Sequence, residues 1–585
     1  MMRLQQQPAT ALKPSISLRL ASGLPALARD VPILLAGIAV FYGLLSLGHY
    51  WAGPVQSRAE ISLNARMLPR YAFFSVARIC IAYCFSLVFT LVYAYIAAHN
   101  SAAERFMIPL LDTLQSIPVL SFLPGVMLTM IALFPSRQAG LEAGSILLIV
   151  TGQVWNMAFS VYSSMKSIPY EMLEAAHVYR LSWWQKFTQL ELPFAAIGLV
   201  WNSIMSVAGA WFFLMACEMF VLGNRDLRLP GLGSYLQTAS DAGDFKAIAL
   251  GLGTMIFVIV VMDQVIWRPL IAWSDKFKFE QVEASAVPRS PVLDLLRRSM
   301  LVKSVRRAVL SPLHETVWLY FARTVPGAHA RVPRRSIARG LRRAGLLGLV
   351  SVLVFATARM AATVAHMSLP DFEQVCRGTV ATFFRVEFAL VLAALWTVPA
   401  GVYVGLRPKL AAVAQPLAQI AASVPATALF PIVILVLIRA GGGLGIGSIV
   451  LLLLGTQWYI LFNVIAGASA IPTDLKEVCR IFRLPRIQQW RTLILPALFP
   501  QLITGLVTAS GGAWNASIVA EYFHFRGRTF STLGLGAVIS LATDTGNIPL
   551  LLGATLVMAA VVVTINRLVW RRLYAVAAER FRLDT

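Results

Sequence analysis

Glu174 and Glu477 head two polar segments of an otherwise apolar chain, EMLEAAHVYRLSWWQKFTQLELP at 171–193 and DLKEVCRIFRLPRIQQWRTLILP at 474–496. Each holds carboxylates, cations and aromatic rings among helix-forming residues, and each closes on Leu-Pro, at Pro193 and Pro496. That mixture suits recognition by charge contact and apolar insertion rather than bond-making, either as a docking knob for a soluble partner or as an interfacial helix on lipid headgroups. No reactive constellation competes with it. Cys80, Cys84, Cys217, Cys376 and Cys479 form no CxxC and fall mostly in apolar runs, where cysteine acts as a small hydrophobe. The seven histidines show no HExxH or HxxxH spacing, so no metal site is expected. The chain has no GxxxxGK[ST] loop to cradle phosphates. Catalytic residues and a cofactor are therefore not expected within it.

The elements that must present these segments are membrane helices. Of 585 residues, 58% are hydrophobic and 13% charged, whereas soluble domains are about a quarter charged. Backbone polar groups must be satisfied internally in lipid, so long apolar runs are helices. About twelve are expected, at roughly 31–52, 71–97, 106–134, 144–164, 195–221 and 247–270, then 344–366, 381–405, 411–438, 446–467, 497–522 and 548–570. The first run follows Arg3, Lys13, Arg19 and Arg29 and is too long for a cleavable signal, so it reads as an uncleaved helix entered from the cytoplasm. The expected division is a cytoplasmic segment 1–30, a six-helix domain 31–272, a basic cytoplasmic linker 273–343, a second six-helix domain 344–570 and a cytoplasmic tail 571–585. The linker carries fifteen Lys or Arg against five Asp or Glu. A net charge of +23 then reflects basic cytoplasmic loops, not nucleic-acid binding. Within the linker, DLLRRSMLVKSVRRAVL (294–310) has a basic face and helical spacing. It reads either as a helix on the anionic inner leaflet or as a solvated tether.

The two halves repeat. At an offset of 303 residues, Glu174 falls on Glu477, Arg180 on Arg483, Gln185 on Gln488, Pro193 on Pro496, Trp211 on Trp514 and Glu218 on Glu521. SIPVLSFLP (116–124) meets SVPATALFP (423–431) at an offset of 307. An even number of spans separates the copies, so the repeat is parallel. Pro118, Pro124, Pro425 and Pro431, with Ser116 and Ser423 beside them, are expected inside membrane helices. There they either line a transport path or merely kink the helices. Glu218 and Glu521 should end helices on the outer side, two turns after Trp211 and Trp514. They read as gate or docking residues, or as ordinary salt-bridged carboxylates. Asn515 replaces Phe212 and makes the presumed cavity lopsided. Arg78, Arg359, Arg385 with Glu387, and Asp263 are expected to pair within the bundle.

Glu174, Ala175 and Ala176, with Leu190, Leu192 and Pro193 behind them, resemble the EAA signature of binding-protein-dependent ABC importer permeases. The second copy keeps Glu477, Leu493, Leu495 and Pro496. The family's glycine is replaced by Arg180 and Arg483, so the hairpin is expected to turn elsewhere or to differ in detail. SVPATALFPIVILVL (423–437) and GLVTASGGAWNASIVAEYF (505–523) resemble the nitrate/sulfonate/taurine-type branch. The resemblance covers roughly 70–270 and 375–570. It implies an all-α polytopic, type I importer-like permease with two domains fused in one chain. It further implies two ATP-binding cassette subunits carrying ATP and Mg, an extracytoplasmic solute-binding protein, a small anionic solute, and a bacterial inner membrane with both termini cytoplasmic. The rival is a twelve-helix secondary transporter independent of ATP.

Overall fold

The structure, a computed structural model, describes residues 26–53, 61–134, 138–222, 225–277, 290–322, 348, 351, 354–439, 443–525 and 528–580. Among these, nine helices are long and apolar enough to cross a membrane, from Asp30–Ala52 to Ile548–Ala577. The expected span 106–134 is instead a broken pair, bent by 85° between the Ser101–Ser116 helix and the Val119–Leu133 stretch, either a broken span or a re-entrant loop. Its repeat, expected at 411–438, is likewise split into the Pro408–Ser423 and Ala426–Arg439 helices. The expected span 344–366 lies partly outside the described residues, where Val354–Val364 is a short apolar helix.

The breaks correct the placement of two prolines. Pro118 does not interrupt a helix: it caps the short Val119–Phe122 turn, and Pro425 stands between two helices. Pro124 occupies the first turn of the Leu123–Leu133 helix, where its missing N–H costs nothing. Only Pro431 of the four lies in a helix interior.

The described residues form two compact units. One gathers parts of 1–48, 167–201 and 261–328. In it the linker forms the helices Pro291–Arg298, Met300–Val305 and Ser311–Ala322. The last of these packs against the Trp183–Lys186 turn of the first polar segment.

The other unit gathers parts of 49–166, 202–260 and 329–585. Its core is built by small residues that let helices approach closely, the usual means of helix association in lipid. Leu444–Ala470 packs on Leu495–Ala520 and on Leu369–Gly405. A Cβ at Gly505 would press on the backbone of Tyr459 and Ile460, and one at Gly405 on Ile465 and Ala468. Two antiparallel hairpins, Val221–Leu222 with Arg225–Asp226 and Tyr522–Phe525 with Arg528–Ser531, follow the helices that end at Glu218 and Ala520. The repeat is visible even in irregularities. Single π turns occupy Phe187–Glu191 and Trp490–Ile494, and again Asp263–Trp267 and Asn566–Trp570, each pair at the 303-residue offset.

Candidate functional site

The two polar segments fold as helical hairpins of one design. Pro169 and Pro472 precede the helices Tyr170–Val178 and Thr473–Ile481. Both helices end in a left-handed residue, Arg180 at φ 50° and Arg483 at φ 48°, the positive-φ non-glycine residues of the chain among those described. In the first hairpin the Arg180 amide donates to His177 O and the Leu181 amide to Ala176 O, each at 3.0 Å. In the second the Arg483 amide donates to Arg480 O at 3.0 Å and the Leu484 amide to Cys479 O at 3.1 Å. This is the Schellman closure that glycine ordinarily serves. Of the two expectations, a turn placed elsewhere or one differing in detail, the first does not hold. The turn stays at the glycine position, and the side chain bears a left-handed cost of about 1–2 kcal/mol. Four closing hydrogen bonds, two per hairpin, hold the residue there.

After the turn the hairpins diverge. Ser182 caps the Trp183–Lys186 turn: its Oγ accepts from the Gln185 amide at 3.2 Å, and Gln185 Oε1 accepts from the Ser182 amide at 2.9 Å. At the matching position stands Pro485, and Gln489 Nε2 instead donates to Leu484 O at 2.8 Å. In the first hairpin Glu174, Tyr179 and Arg180 are exposed while Ala176 is buried. Tyr170, Leu173, Glu174, His177, Val178 and Lys186 line an open cleft of about 560 Å³. In the second, Glu477, Arg483, Phe482 and Ile481 are exposed and Cys479 is buried. Burial pushes the Lys476 ammonium below its usual range. Pro193 and Pro496 sit in the first turn of the helices that run to Glu218 and Ala520. Each hairpin thus offers a carboxylate beside large exposed apolar side chains and is followed directly by a long apolar helix.

The other repeated residues form buried clusters. Glu218 is fully buried. Its Oε1 accepts from Ser75 Oγ and from Arg78 Nη1, both at 2.7 Å, and its Oε2 from the Gly233 amide at 2.7 Å. Arg78, also fully buried, donates through Nε and Nη2 to both oxygens of Glu142 at 2.7 Å and through Nη1 to Pro230 O at 2.9 Å. In the second half Glu521 accepts from Thr382 Oγ1 at 2.7 Å, from the Gly536 amide at 2.8 Å and from Arg385 Nη1. Arg385 pairs with Glu521 and also donates to Leu533 O at 3.0 Å. A Cβ on Gly231 or Gly534 would land on the Glu218 or Glu521 carboxylate, so both positions need glycine. The clusters were only half legible in sequence. Arg78, and Arg385 with Glu387, were expected to pair within the bundle; Arg385 pairs with Glu521 instead, and Ser75, Thr382, Glu142 and the glycines gave no signal. Asp263 pairs with Arg268 at 3.4 Å.

Trp211 and Trp514 are fully buried, and Trp514 Nε1 finds no acceptor. Asn515 Oδ1 accepts from the Leu120 amide at 3.2 Å, so the residue that replaces Phe212 touches the helix break after Pro118. Thr555 Oγ1 donates to Ser121 O at 3.3 Å on the same break. Ser423 Oγ turns back to Gln419 O at 2.9 Å. Among the described residues no group of His, Cys, Asp and Glu could hold a metal ion.

Residues 90–265 and 397–582, more than half of the chain, match the family described as the binding-protein-dependent transport system inner membrane component. The chain is 31% identical over 143 residues to the bicarbonate transport system permease protein CmpB of Synechococcus elongatus, covering 24% of this chain and 50% of that protein. It is 28% identical over 141 residues to the nitrate import permease protein NrtB of Leptolyngbya laminosa, covering 24% and 49%. To the taurine transport system permease protein TauC of Escherichia coli it is 26% identical over 172 residues, covering 28% and 58%. The chain spans about half the length of the curated relatives it matches. With the family's domain present twice in a chain of apolar helices, this protein belongs to the inner-membrane components of binding-protein-dependent transport systems, with two such domains in one polypeptide.

Proposed function

We propose that this chain supplies both membrane halves of an ATP-driven importer for a small anionic solute. The two hairpins are its couplers: each seats in a groove of a separate ATP-binding cassette subunit, where ATP and Mg are bound. A rigid hairpin continuous with a membrane helix passes closure of the ATPases to the bundle as body movement. The carrying observation is the recurrence, in both halves, of one Schellman-closed hairpin with an exposed glutamate and exposed apolar side chains. The reading places both hairpins, both termini and the 273–343 linker on the cytoplasmic side of a bacterial inner membrane. A solute-binding protein delivers cargo from the other side. The printed names of the relatives support a small anion or sulfonate, since they name bicarbonate, nitrate and taurine. The break after Pro118 with Asn515, and its counterpart at Ser423 and Pro425, are the proposed path-lining elements. Glu218 and Glu521 hold the outer ends of their helices and so stabilise the gate rather than touch cargo.

The test is uptake in proteoliposomes containing the chain and its co-purified ATPases. Glu174→Arg combined with Glu477→Arg should abolish ATP-dependent uptake, a loss of at least about tenfold for two buried-on-docking charge contacts. The variant should elute from size exclusion as the parent does. Normal uptake in it, or uptake by the parent without ATP, would overturn the coupling role.

A further inference from the structure

We propose that linker residues 291–322 are a binding surface for anionic lipid headgroups. Arg297, Arg298, Lys303, Arg306 and Arg307 are exposed, and the only carboxylates in the stretch are Asp294 and Glu315. On the Met300–Val305 helix, Lys303 and the following Arg306 and Arg307 share one side. Leu301 and Val305 fall on the other, and both are exposed, Val305 at 54%. Further along, Leu313 and Tyr320 are also open, at 61% and 70%. A solvated tether has no use for so much uncovered apolar surface opposite a row of cations. A helix lying in the plane of the bilayer interface uses both.

Depth supplies the second argument. Ser299 Oγ donates to Asp30 Oδ1 at 2.5 Å, and Asp30 is the first residue of the Asp30–Ala52 span. The Pro291–Arg298 helix also packs on the Arg268–Ser274 helix, which ends the Phe245–Ser274 span. The linker is thereby held at the level where spans leave the hydrocarbon, which is where phosphate headgroups stand. Cations near such a surface are drawn to acidic lipids within about one Debye length. The Ser311–Ala322 helix then carries this attachment to the Trp183–Lys186 turn of the first hairpin. The proposal needs the chain to lie in a membrane but not the coupling role of the hairpins.

The experiment uses the full chain with its five cysteines changed to serine and Leu301→Cys labelled with an environment-sensitive fluorophore. It is reconstituted into vesicles of phosphatidylcholine alone, or of phosphatidylcholine mixed with phosphatidylglycerol. The expected result is a blue-shifted emission, quenched by lipid-borne quenchers, in the mixed vesicles. High salt should weaken it, and so should the variant with Arg297, Arg298, Lys303, Arg306 and Arg307 all changed to Gln. These side chains are exposed, so the variant keeps its fold; Lys303→Gln with Arg306→Gln and Arg307→Gln serves as a milder second variant expected to show an intermediate shift. Emission alike in both vesicle types, or unchanged quenching in the five-Gln variant, overturns the proposal. Because no ATPase takes part, normal uptake in the hairpin test, which would overturn the coupling role, leaves this result standing on its own.

Discussion

The Arg78 and Arg385 clusters occupy equivalent places in the two halves but are not equivalent sites. Ser75 and Thr382 play one role, each accepting a backbone amide, Leu232 or Leu535, while donating to the helix-ending glutamate. Arg78 adds a second carboxylate, Glu142. Its counterpart is Gly445, as the flanking serines show: Ser145 Oγ donates to Glu142 O and Ser448 Oγ to Gly445 O. Arg385, lacking that partner, is slightly open at 11% and leans on Leu533 O and Thr532 Oγ1. A single carboxylate with one hydroxyl and two amides therefore suffices to hold the hairpin-and-helix corner beyond it. The second carboxylate makes the first cluster tighter and leaves its guanidinium wholly dry. The lesson is that the repeat preserves the glutamate and its donors, while the cation's remaining hydrogen bonds can be rebuilt from whatever carbonyl or carboxylate is at hand.

The comparison can be broken most severely at Arg78. Arg78→Ala strands two buried carboxylates and should cost about 3–5 kcal/mol, enough to remove most folded protein. Arg385→Ala strands one and should cost less. Yield of monodisperse protein by fluorescence-detected size exclusion reads the order, and equal losses would contradict the asymmetry. Gly231→Ala and Gly534→Ala crowd a Cβ onto the glutamates and should each destabilise by about 1–3 kcal/mol, alike in both halves. Thermal unfolding in detergent measures this, and a tolerated alanine would mean the loop can back away. At the hairpins, Arg180→Gly and Arg483→Gly relieve the left-handed strain and should stabilise each hairpin by about 1 kcal/mol. Slower amide exchange at Leu181 and Leu484 is the readout.

Sequence disclosed what repeats with unusual residues. The Glu174 and Glu477 hairpins, the Leu-Pro exits and the Trp–Glu helix ends stood out because charge, proline and tryptophan are rare in apolar runs. The helix breaks did not, because Pro118 and Pro425 read equally as kinks inside a span or as caps between two helices. Arg180 and Arg483 misled for a related reason. Steric preference argued against positive φ, and the local backbone hydrogen bonds of the closing turn outweigh it. The acid–arginine clusters were hidden because their members are some 140 residues apart, and serine, threonine and glycine carry no marker of what they will touch.

The π turns carry a chronology. Each holds one residue more than the α turn it replaces, since its hydrogen bond reaches one position further. Two pairs of them stand in register with the matching Trp and Glu residues. Independent insertion at corresponding points of two long helices would have to happen twice over. The surplus residues therefore date from a single-length ancestor, before it was copied head to tail. The change of offset from 307 to 303, which falls between Pro124 and Glu142, is a later mark left on one copy after the doubling.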